Sequence, residues 1–322
     1  MLRRSKKKAT PRIFFATDVH GSETCFRKFV NAAAAYSADA IIMGGDITGK
    51  QLVLIVEENG GWRVGRGEAA ERLDSQEALD VTRKRLGAAG LYPIVISPNE
   101  EQALVADQEA IERRFTEERL ARVRGWMELA EERLRPAGIP CFVSPGNDDD
   151  REVVEIIDGA DWVENPEGKV VEVAGHEMIS WGWSNPTPWD TPREQSEDEL
   201  GAHLDAMASK LSDVEGSIFN FHCPPFRSGL DDAPALDETL KPVTSGGQIQ
   251  LLPVGSTAVR QAIERYQPLL GLHGHIHDCR AMKRIGRSMC INPGSDYQTA
   301  TLRGAIVQLD PHDVSAWTLT TG

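Results

Sequence analysis

The sequence predicts an α/β fold in which parallel strands alternate with crossover helices. Apolar runs at residues 12–17 and 39–44 flank a helical pattern at residues 22–36, and together they indicate one β–α–β unit. Each apolar run is followed directly by an aspartate, Asp18 or Asp46. Ligand sites in open α/β sheets gather at the carboxyl ends of strands, so we expect a functional site at these positions.

Apolar segments further along the chain continue this alternation. We predict strands at 139–144, 217–221 and 269–272, paired strands at 169–174 and 177–183, helices at 194–212 and 256–265, and antiparallel strands from about 279 to 319. Ser256 is expected to cap the start of the last helix, because a serine side chain can accept a hydrogen bond from a free amide of the first turn.

The stretch from about 50 to 136 interrupts the alternation. Apolar segments on either side of Asn59-Gly60-Gly61 indicate a hairpin, and the charged region 68–135 predicts exposed helices paired around Tyr92–Pro98. We therefore predict one domain over 1–322 with a hairpin-plus-helical insertion. Whether the insertion is a salt-bridged surface, a lid or an oligomer contact is left open.

Composition narrows the range of partners. The net charge of -14 disfavours nucleic acid and anionic membranes. The basic run Arg3–Lys8 is interpreted as a solvated tail, and no apolar stretch reaches the roughly 18 residues that a membrane span requires. The five cysteines are scattered without a CxxC pair, which indicates reduced thiols. We predict a cytoplasmic protein without a signal peptide.

Five polar clusters follow predicted strands and offer carboxylate, amide and imidazole ligands. They are Asp18-Val19-His20, Gly45-Asp46, Gly146-Asn147-Asp148-Asp149, His222 and Gly274-His275-Ile276-His277. This mixture suits Mn²⁺, Fe and Zn²⁺, and it lacks the thiolates of a structural zinc site. Two Asp, one Asn and four His make seven candidate ligands. That number is enough for two metals if one carboxylate bridges them.

In this order, the segments DVH, GGD, GND, HCPP and GHIH resemble the motifs of the calcineurin-like metallophosphoesterase superfamily. The resemblance spans residues 12 to about 309, apart from the insertion. The segments HCPPFRSGLD, PVGS and INPGS further resemble a branch of predicted phosphoesterases related to class III cyclic-nucleotide phosphodiesterases. The resemblance implies a four-layer α/β/β/α sandwich with two divalent metals at the strand ends. We favour Mn²⁺, with Fe or Zn²⁺ as alternatives.

The resemblance also implies a role for each motif residue. Two ligand sets would share one bridging carboxylate: Asp18, His20, Asp46 and His277 in the first, and Asp46, Asn147, His222 and His275 in the second. A metal-activated bridging water would attack the phosphorus of a phosphate ester. His273, beside the last motif, is expected to be a buried structural residue, and His176, His203 and His312 are expected at the surface.

Two positions depart from the superfamily pattern. Asp148 replaces a histidine that contacts phosphate and protonates the leaving group, and an ionised Asp148 repels a dianionic monoester more than a monoanionic diester. We assign Asp148 and Asp149 as catalytic, with Asp149 orienting a metal ligand, and we favour a phosphodiester substrate. A protonated Asp148 acting as general acid and a purely structural Asp148 stay open. Gly49 stands where many relatives have Asp, and Lys50 is either a phosphate contact or an exposed lysine at the start of a strand.

The predicted function is metal-dependent hydrolysis of a small phosphorylated substrate. A nuclease and a non-catalytic scaffold that retains the fold are the alternatives. The acidic charge speaks against the nuclease, and the complete ligand set speaks against the scaffold. The tryptophan-rich loop at 181–189 either stacks a nucleobase or, as we favour, packs in the core with one exposed tip. Arg227 is considered as a phosphate contact.

Overall fold

The computed structural model describes residues 10–67 and 70–322, so the predicted basic tail Arg3–Lys8 lies outside the described residues. The strands, in chain order, are β1 (Arg12–Ala16), β2 (Ala40–Met43), β3 (Leu52–Glu58), β4 (Gly61–Val64), β5 (Glu71–Leu73), β6 (Tyr92–Ile96), β7 (Cys141–Val143), β8 (Val163–Glu164), β9 (Val170–Val173), β10 (His176–Trp181), β11 (Ile218–Phe221), β12 (Asp232–Pro234), β13 (Thr244–Ser245), β14 (Gln248–Ile249), β15 (Leu251–Pro253), β16 (Leu270–Leu272), β17 (Ala281–Ile285), β18 (Ser288–Asn292), β19 (Arg303–Asp310) and β20 (Asp313–Thr321). The helices are α1 (Glu23–Ala35), α2 (Gln76–Ala88), α3 (Pro98–Ala106), α4 (Gln108–Leu134), α5 (Arg151–Asp158), α6 (Glu197–Ala208) and α7 (Thr257–Tyr266).

Two six-stranded sheets carry most of these strands. The first has the order β20-β19-β1-β2-β7-β8, and the second has the order β17-β18-β16-β11-β10-β9. The central strands of each sheet are parallel, and antiparallel strands extend them. The predicted β–α–β unit is confirmed, because β1 and β2 pair in parallel across α1. Ser256 caps α7 as predicted, since its side chain accepts a hydrogen bond from the amide of Val259.

Alternate side chains of β1 enter two different cores, and this defines the layers. Ile13 and Phe15 belong to the core between the two sheets, whereas Phe14 and Ala16 pack with α1, α4 and α5. Both faces of the strand are therefore buried, as expected for a parallel sheet covered on both sides. On the outer face of the second sheet, α6 and α7 form a third core. The predicted four-layer α/β/β/α sandwich is confirmed.

The segment between β2 and β7 contains a further sheet of order β5-β4-β3-β6 and three helices. Strands β3 and β4 form a hairpin with Asn59 in a left-handed conformation at its turn. We predicted only helices after this hairpin, and that is wrong for β6, which pairs in parallel with β3. Tyr92, Ile94 and Ile96 are buried alternately, a period of two that is hard to recognise in five residues between helical segments.

We had predicted exposed helices for this region, but helix α4 is exposed over only part of its length. Its second half buries one face against the first sheet and α1, through Val123, Trp126, Met127, Ala130 and Leu134. The ring of Trp126 stacks on that of Phe26 with centroids 4.3 Å apart. Spacings of three and four residues place these side chains on one helix face, so α4 contributes to an outer layer of the sandwich.

Two further findings bear on the predicted environment of the protein. Within residues 10–67 and 70–322, no helix combines the length and the apolar composition needed to cross a bilayer. All five cysteines are buried as free thiols.

Candidate metal centre

Loops at the carboxyl ends of five parallel strands bring the seven predicted ligands together. They follow β1 (Asp18 and His20), β2 (Asp46), β7 (Asn147), β11 (His222) and β16 (His275 and His277). Both sheets therefore contribute to one site, as the strand-end rule predicts.

Asp18, His20 and His277 form one group that could hold a metal ion. The Nε2 atoms of His20 and His277 are 2.9 Å apart. Asp18 Oδ1 lies 3.4 Å from His277 Nε2 and 3.8 Å from His20 Nε2. This is the first ligand set that the resemblance implies, without the shared Asp46.

Asp46, His222 and His275 form a second such group. Asp46 Oδ2 is 3.4 Å from His222 Nε2, and Asn147 Oδ1 is 2.8 Å from His275 Nδ1. Asp46 Oδ2 is also 3.6 Å from His20 Nε2, which belongs to the first group. One carboxylate oxygen of Asp46 thus lies within 4 Å of a histidine nitrogen from each group.

The buried imidazole of His222 tests whether these residues suit a metal. Its Nδ1 is 3.0 Å from the carbonyl of Gly44, and because a carbonyl only accepts, Nδ1 carries a hydrogen; in the neutral ring, which is the form that binds a metal, Nε2 then carries the lone pair. Nε2 has no hydrogen-bond partner and faces the carboxylates of Asp46 and Asp18. A buried acceptor without a donor is costly, and a cation satisfies both it and the carboxylates. The donor set therefore fits divalent cations.

The aspartates and histidines of the site shift one another's pKa. Burial acts to raise the pKa of Asp18, but His222 and His277 outweigh it and lower that pKa to about 2. Burial acts to lower the pKa of His222, but Asp46 and Asp18 raise it to about 9. Because a metal ligand must be deprotonated, cation binding at His222 competes with a proton.

Asp149 connects the loops that carry two of the ligands. It is fully buried, and its carboxylate accepts hydrogen bonds from the amides of Ile47 (3.0 Å), Thr48 (2.9 Å) and Gly146 (2.8 Å) and from the Thr48 hydroxyl (2.7 Å). It does not line the cleft described below. These hydrogen bonds join Asp149 to the loops that carry Asp46 and Asn147, in keeping with the predicted role of orienting a metal ligand, and its assignment as catalytic stays a prediction.

Several ligands adopt backbone conformations that non-glycine residues rarely take. The φ angles of Asp18, His20, Asp46 and His275 are 53°, 37°, 50° and 66°. Such conformations cost on the order of 1–3 kcal/mol each and persist where surrounding contacts hold them. Here the Asp18 carboxylate accepts the amide of His275 at 3.1 Å and the Thr17 hydroxyl at 2.7 Å.

Asn147 is oriented by residues that the sequence did not reveal. Its Nδ2 donates to Thr191 Oγ1 at 3.0 Å, and the Thr191 hydroxyl donates to Glu194 Oε1 at 2.7 Å. This leaves the Asn147 carbonyl oxygen directed at His275. Thr191 and Glu194 lie in an irregular loop with no recognisable motif, so no sequence signal could have identified them.

Asp148 and Lys50 form an ion pair at the edge of the site. Lys50 Nζ is 2.5 Å from Asp148 Oδ2, and the Asp148 amide donates to Asp46 Oδ1 at 3.0 Å. Burial and the Asp46 carboxylate raise the pKa of Asp148 to about 7, against the opposing effect of Lys50. Lys50 is exposed two residues before β3, as predicted, and it also lines the cleft, so a phosphate contact stays a prediction. Arg227 is not among the described residues that line the cleft.

The other four histidines lie outside the two ligand groups, and His203 and His312 are exposed as predicted. His273 is fully buried as predicted, and its Nδ1 is 2.8 Å from the carbonyl of Phe221. The prediction that His176 lies at the surface is wrong, because its ring is buried and its Nδ1 is 2.7 Å from the Gly216 carbonyl. Its contact is with a residue 40 positions further along the chain, which no local pattern reveals.

The site opens into a cleft of about 650 Å³. Its lining includes charged and ligating residues, among them His20, Asp46, Asp148 and Lys50, and Trp189 of the tryptophan-rich loop. Trp189 is 61% exposed, which agrees with the predicted exposed tip. Trp181 and Trp183, whose ring centroids are 6.3 Å apart, are half-buried rather than fully in the core.

Comparison with known proteins supports the fold more than any activity. No family model matches the chain. An uncharacterised protein of Methanocaldococcus jannaschii is 28% identical over 151 residues, which cover 46% of this chain. The match spans 61% of that protein, which is less than two thirds of its length. A crystal structure from Thermus thermophilus has a TM-score of 0.53 and 16% identity, covering 98% of this chain and 99% of that one. This likeness shows the fold alone. A structure described as a novel archaeal phosphodiesterase covers 97% of this chain and 99% of its own, with 10% identity and a TM-score of 0.36, too low to support an argument.

The fold and the site together define the class of protein. The order of the five motifs, the four-layer sandwich and the two ligand groups agree with the predicted resemblance to the calcineurin-like metallophosphoesterase superfamily. The chain is thus an α/β sandwich with clustered aspartates and histidines that could bind divalent metals at its strand ends.

Proposed function

We propose that this protein hydrolyses a phosphate ester at a two-metal centre. The observation that carries the proposal is the position of Asp46 Oδ2, which lies 3.6 Å from His20 Nε2 in one ligand group and 3.4 Å from His222 Nε2 in the other. A carboxylate shared by two such groups suits two adjacent cations, which is the arrangement that clamps an in-line displacement at phosphorus.

The protein's own residues hold and orient the reacting groups. When bound, two divalent cations supply Lewis acidity that favours a hydroxide nucleophile at neutral pH and neutralises phosphate oxygens. We favour Mn²⁺, with Fe or Zn²⁺ as alternatives, because imidazole and carboxylate ligands suit all three. Asp149 keeps the ligand loops in place, and Lys50 offers a positive charge to a phosphate oxygen at the edge of the site.

We favour a phosphodiester over a monoester. Asp148 puts a carboxylate beside the site where the resembling proteins have a histidine, and that carboxylate repels a dianion more than a monoanion. The ion pair with Lys50 offsets part of this repulsion, so we expect a preference rather than complete exclusion. With a pKa of about 7, a protonated fraction of Asp148 can also donate to the leaving group near neutral pH.

The cleft argues for a small substrate rather than a nucleic acid. Lys50 is the one lysine or arginine among the described residues that line it. Binding to a nucleic-acid backbone depends on several phosphate contacts from basic side chains, and the net charge of -14 opposes it further.

The test compares hydrolysis of bis-p-nitrophenyl phosphate and p-nitrophenyl phosphate, with Mn²⁺ and with EDTA. We expect Mn²⁺-dependent turnover that favours the diester and disappears with EDTA. The absence of turnover with any of Mn²⁺, Fe²⁺ or Zn²⁺ would overturn the proposal. The variant Asp148→His should raise the monoester rate relative to the diester rate; an unchanged ratio would refute the role given to Asp148 while leaving the metal centre intact.

A further inference from the structure

We infer that the organic group of the substrate is apolar and that the apolar part of the cleft lining binds it, with Trp189, Leu252 and Val254 as specificity-determining residues. The inference rests on the proposed function, because the metal end of the cleft is assigned to the phosphate. The substrate class is thus an amphiphilic phosphoester, charged at one end and apolar at the other.

The first support is that the cleft is lined by apolar side chains as well as by the ligands. The residues of the lining that come from segments 185–191 and 233–254, here called the apolar wall, are largely apolar, among them Pro186, Trp189, Pro234, Leu236, Leu252 and Val254. Trp189, Leu252 and Val254 are 61%, 52% and 37% exposed. Single exposed apolar residues are ordinary, but a group that lines the same cleft as a catalytic site indicates a ligand surface.

The second support is that polar side chains of this wall are already engaged within the protein. Asn185 Nδ2 donates to the Val254 carbonyl at 3.3 Å, and Asn185 Oδ1 accepts from Cys223 Sγ at 2.8 Å. The Thr187 hydroxyl donates to Glu194 at 2.5 Å. A sugar or a nucleobase is recognised by hydrogen bonds to convergent polar groups, and these groups are directed elsewhere.

The third support is that the wall is built before any ligand arrives. Glu194 accepts hydrogen bonds from the amides and hydroxyls of Thr187 and Thr191, which holds the loop that presents Trp189. Across the cleft, β12 and β15 pair in register, Ala233 opposite Leu252. Because Thr191 also accepts from Asn147, the apolar wall is connected directly to a metal ligand. A preformed surface saves the entropy of ordering it on binding.

The inference predicts how affinity changes with chain length. Each methylene that leaves water for such a surface strengthens binding by up to about fourfold, and partial burial on an open wall reduces this factor. Between a methyl and a butyl group we therefore expect a gain of about tenfold or more.

The test measures binding of methyl-, butyl- and octylphosphonate to the Mn²⁺-loaded full chain by isothermal titration calorimetry, which needs no turnover. In the unchanged protein, Kd should fall with chain length. In Trp189→Ala, methylphosphonate should bind as before, and the dependence on chain length should become markedly weaker. Trp317→Ala is the control, because Trp317 is 41% exposed on β20 and does not line the cleft.

Failure of the inference and failure of the proposed function differ in their results. If methylphosphonate binds and the nitrophenyl esters are hydrolysed, but Kd does not change with chain length, the inference is wrong and the function stands. Tighter binding of adenosine 5′-monophosphate than of octylphosphonate would also overturn the inference, because it requires polar recognition. If no phosphonate binds and no ester is hydrolysed with any of the three metals, the proposed function fails as well.

Discussion

Asp46 uses its two carboxylate oxygens for different tasks. Oδ1 accepts the amide of Asp148, while Oδ2 faces His20 and His222, one from each ligand group. Gly146 allows the neighbouring loop to come this close, because a Cβ there would lie 2.1 Å from Asp46 Oδ1. The residue therefore holds the loop and bridges the ligand groups at the same time.

Asp46→Asn separates these two tasks, because the amide oxygen can still accept from Asp148 while the negative charge is lost. We expect Mn²⁺ affinity to fall by more than about 100-fold. Loss of a residue that only supports a ligand costs up to about 100-fold, and loss of a ligand's own charge should cost more. Metal content by mass spectrometry and diester turnover measure this. Asp74→Asn, at an exposed side chain, is the control. Full metal content in Asp46→Asn would contradict the bridging role.

The variant Asp149→Asn tests whether Asp149 acts by positioning the ligand loops, without contacting the substrate itself. An amide cannot accept all four hydrogen bonds of the carboxylate, and each buried donor left unpaired costs about 1–3 kcal/mol. We expect a lower free energy of unfolding in urea and a Mn²⁺ affinity reduced about 10- to 100-fold, with turnover recovering at high Mn²⁺. Loss of turnover at saturating Mn²⁺, with stability unchanged, would instead indicate a catalytic role.

At the scale of elements, the sheet and helices between β2 and β7 support the metal loops directly. The hydroxyl oxygen of Tyr92, on β6, accepts a hydrogen bond from the Gly49 amide at 3.1 Å. Arg122 of α4 donates to the carbonyls of Gly21 (2.7 Å) and Leu91 (3.0 Å), and its guanidinium lies 3.9 Å from the centre of the Tyr92 ring. Gly21 follows His20, and Gly49 follows Asp46 by three residues. These elements thus brace two of the three ligand loops of the first sheet, those after β1 and β2.

Tyr92→Phe should weaken this brace, because the buried Gly49 amide loses its acceptor. We expect a loss of about 1–3 kcal/mol in the free energy of unfolding, together with weaker Mn²⁺ binding. Urea unfolding and metal titration measure the two effects. Tyr36→Phe is the matched control, since Tyr36 stacks on Phe14 and its hydroxyl has no hydrogen bond within the described part of the chain. Equal behaviour of the two variants would argue against the brace.

Gly49→Asp would restore the residue that many resembling proteins have, and we expect it to damage this chain. A Cβ at position 49 would lie 2.2 Å from the Gly90 carbonyl oxygen and 2.7 Å from the His20 carbonyl oxygen. Both neighbours are backbone atoms that cannot move independently of their loops. We predict a lower yield of folded protein and a lower Mn²⁺ content. A Gly49→Asp protein that is as stable and as fully loaded as the parent would show that the crowding is relieved.

At the scale of the whole molecule, ligands from both sheets meet at one site, so bound metal should stabilise the entire sandwich. A ligand that binds the folded state alone stabilises it by about 4 kcal/mol at 1,000 times its Kd. For a chain of 322 residues, about 1.5 °C in Tm accompanies each kcal/mol, because the entropy of unfolding grows with length. We expect EDTA to lower the Tm of the Mn²⁺-loaded protein by roughly 6 °C in calorimetry, and to leave Asp46→Asn almost unchanged. An EDTA effect of equal size in both proteins would place the stabilising metal elsewhere.

Sequence reasoning succeeded where chemistry and position coincide. The ligand clusters could be predicted because strand-end residues such as Asp18 and His275 combine a ligating side chain with a definite place in an α/β sheet. The sequence did not reveal residues whose role depends on a contact with backbone far away along the chain. The contact between Tyr92 and Gly49 joins residues 43 positions apart, and no local pattern encodes it. Thr191 is likewise invisible until the fold brings it to Asn147.

The crowding around Gly49 also constrains how such a chain can change over evolutionary time. An aspartate at position 49 and the backbone at Gly90 exclude one another, because both would occupy the same space. A lineage that gained the aspartate first would carry the clash, and a lineage that first lost the segment around Gly90 would leave the Gly49 amide without Tyr92. We therefore expect the effects of changes at position 49 and in the intervening sheet to depend on one another. Gly49 and the segment around Gly90 should be gained or lost together, because either change alone is expected to weaken folding.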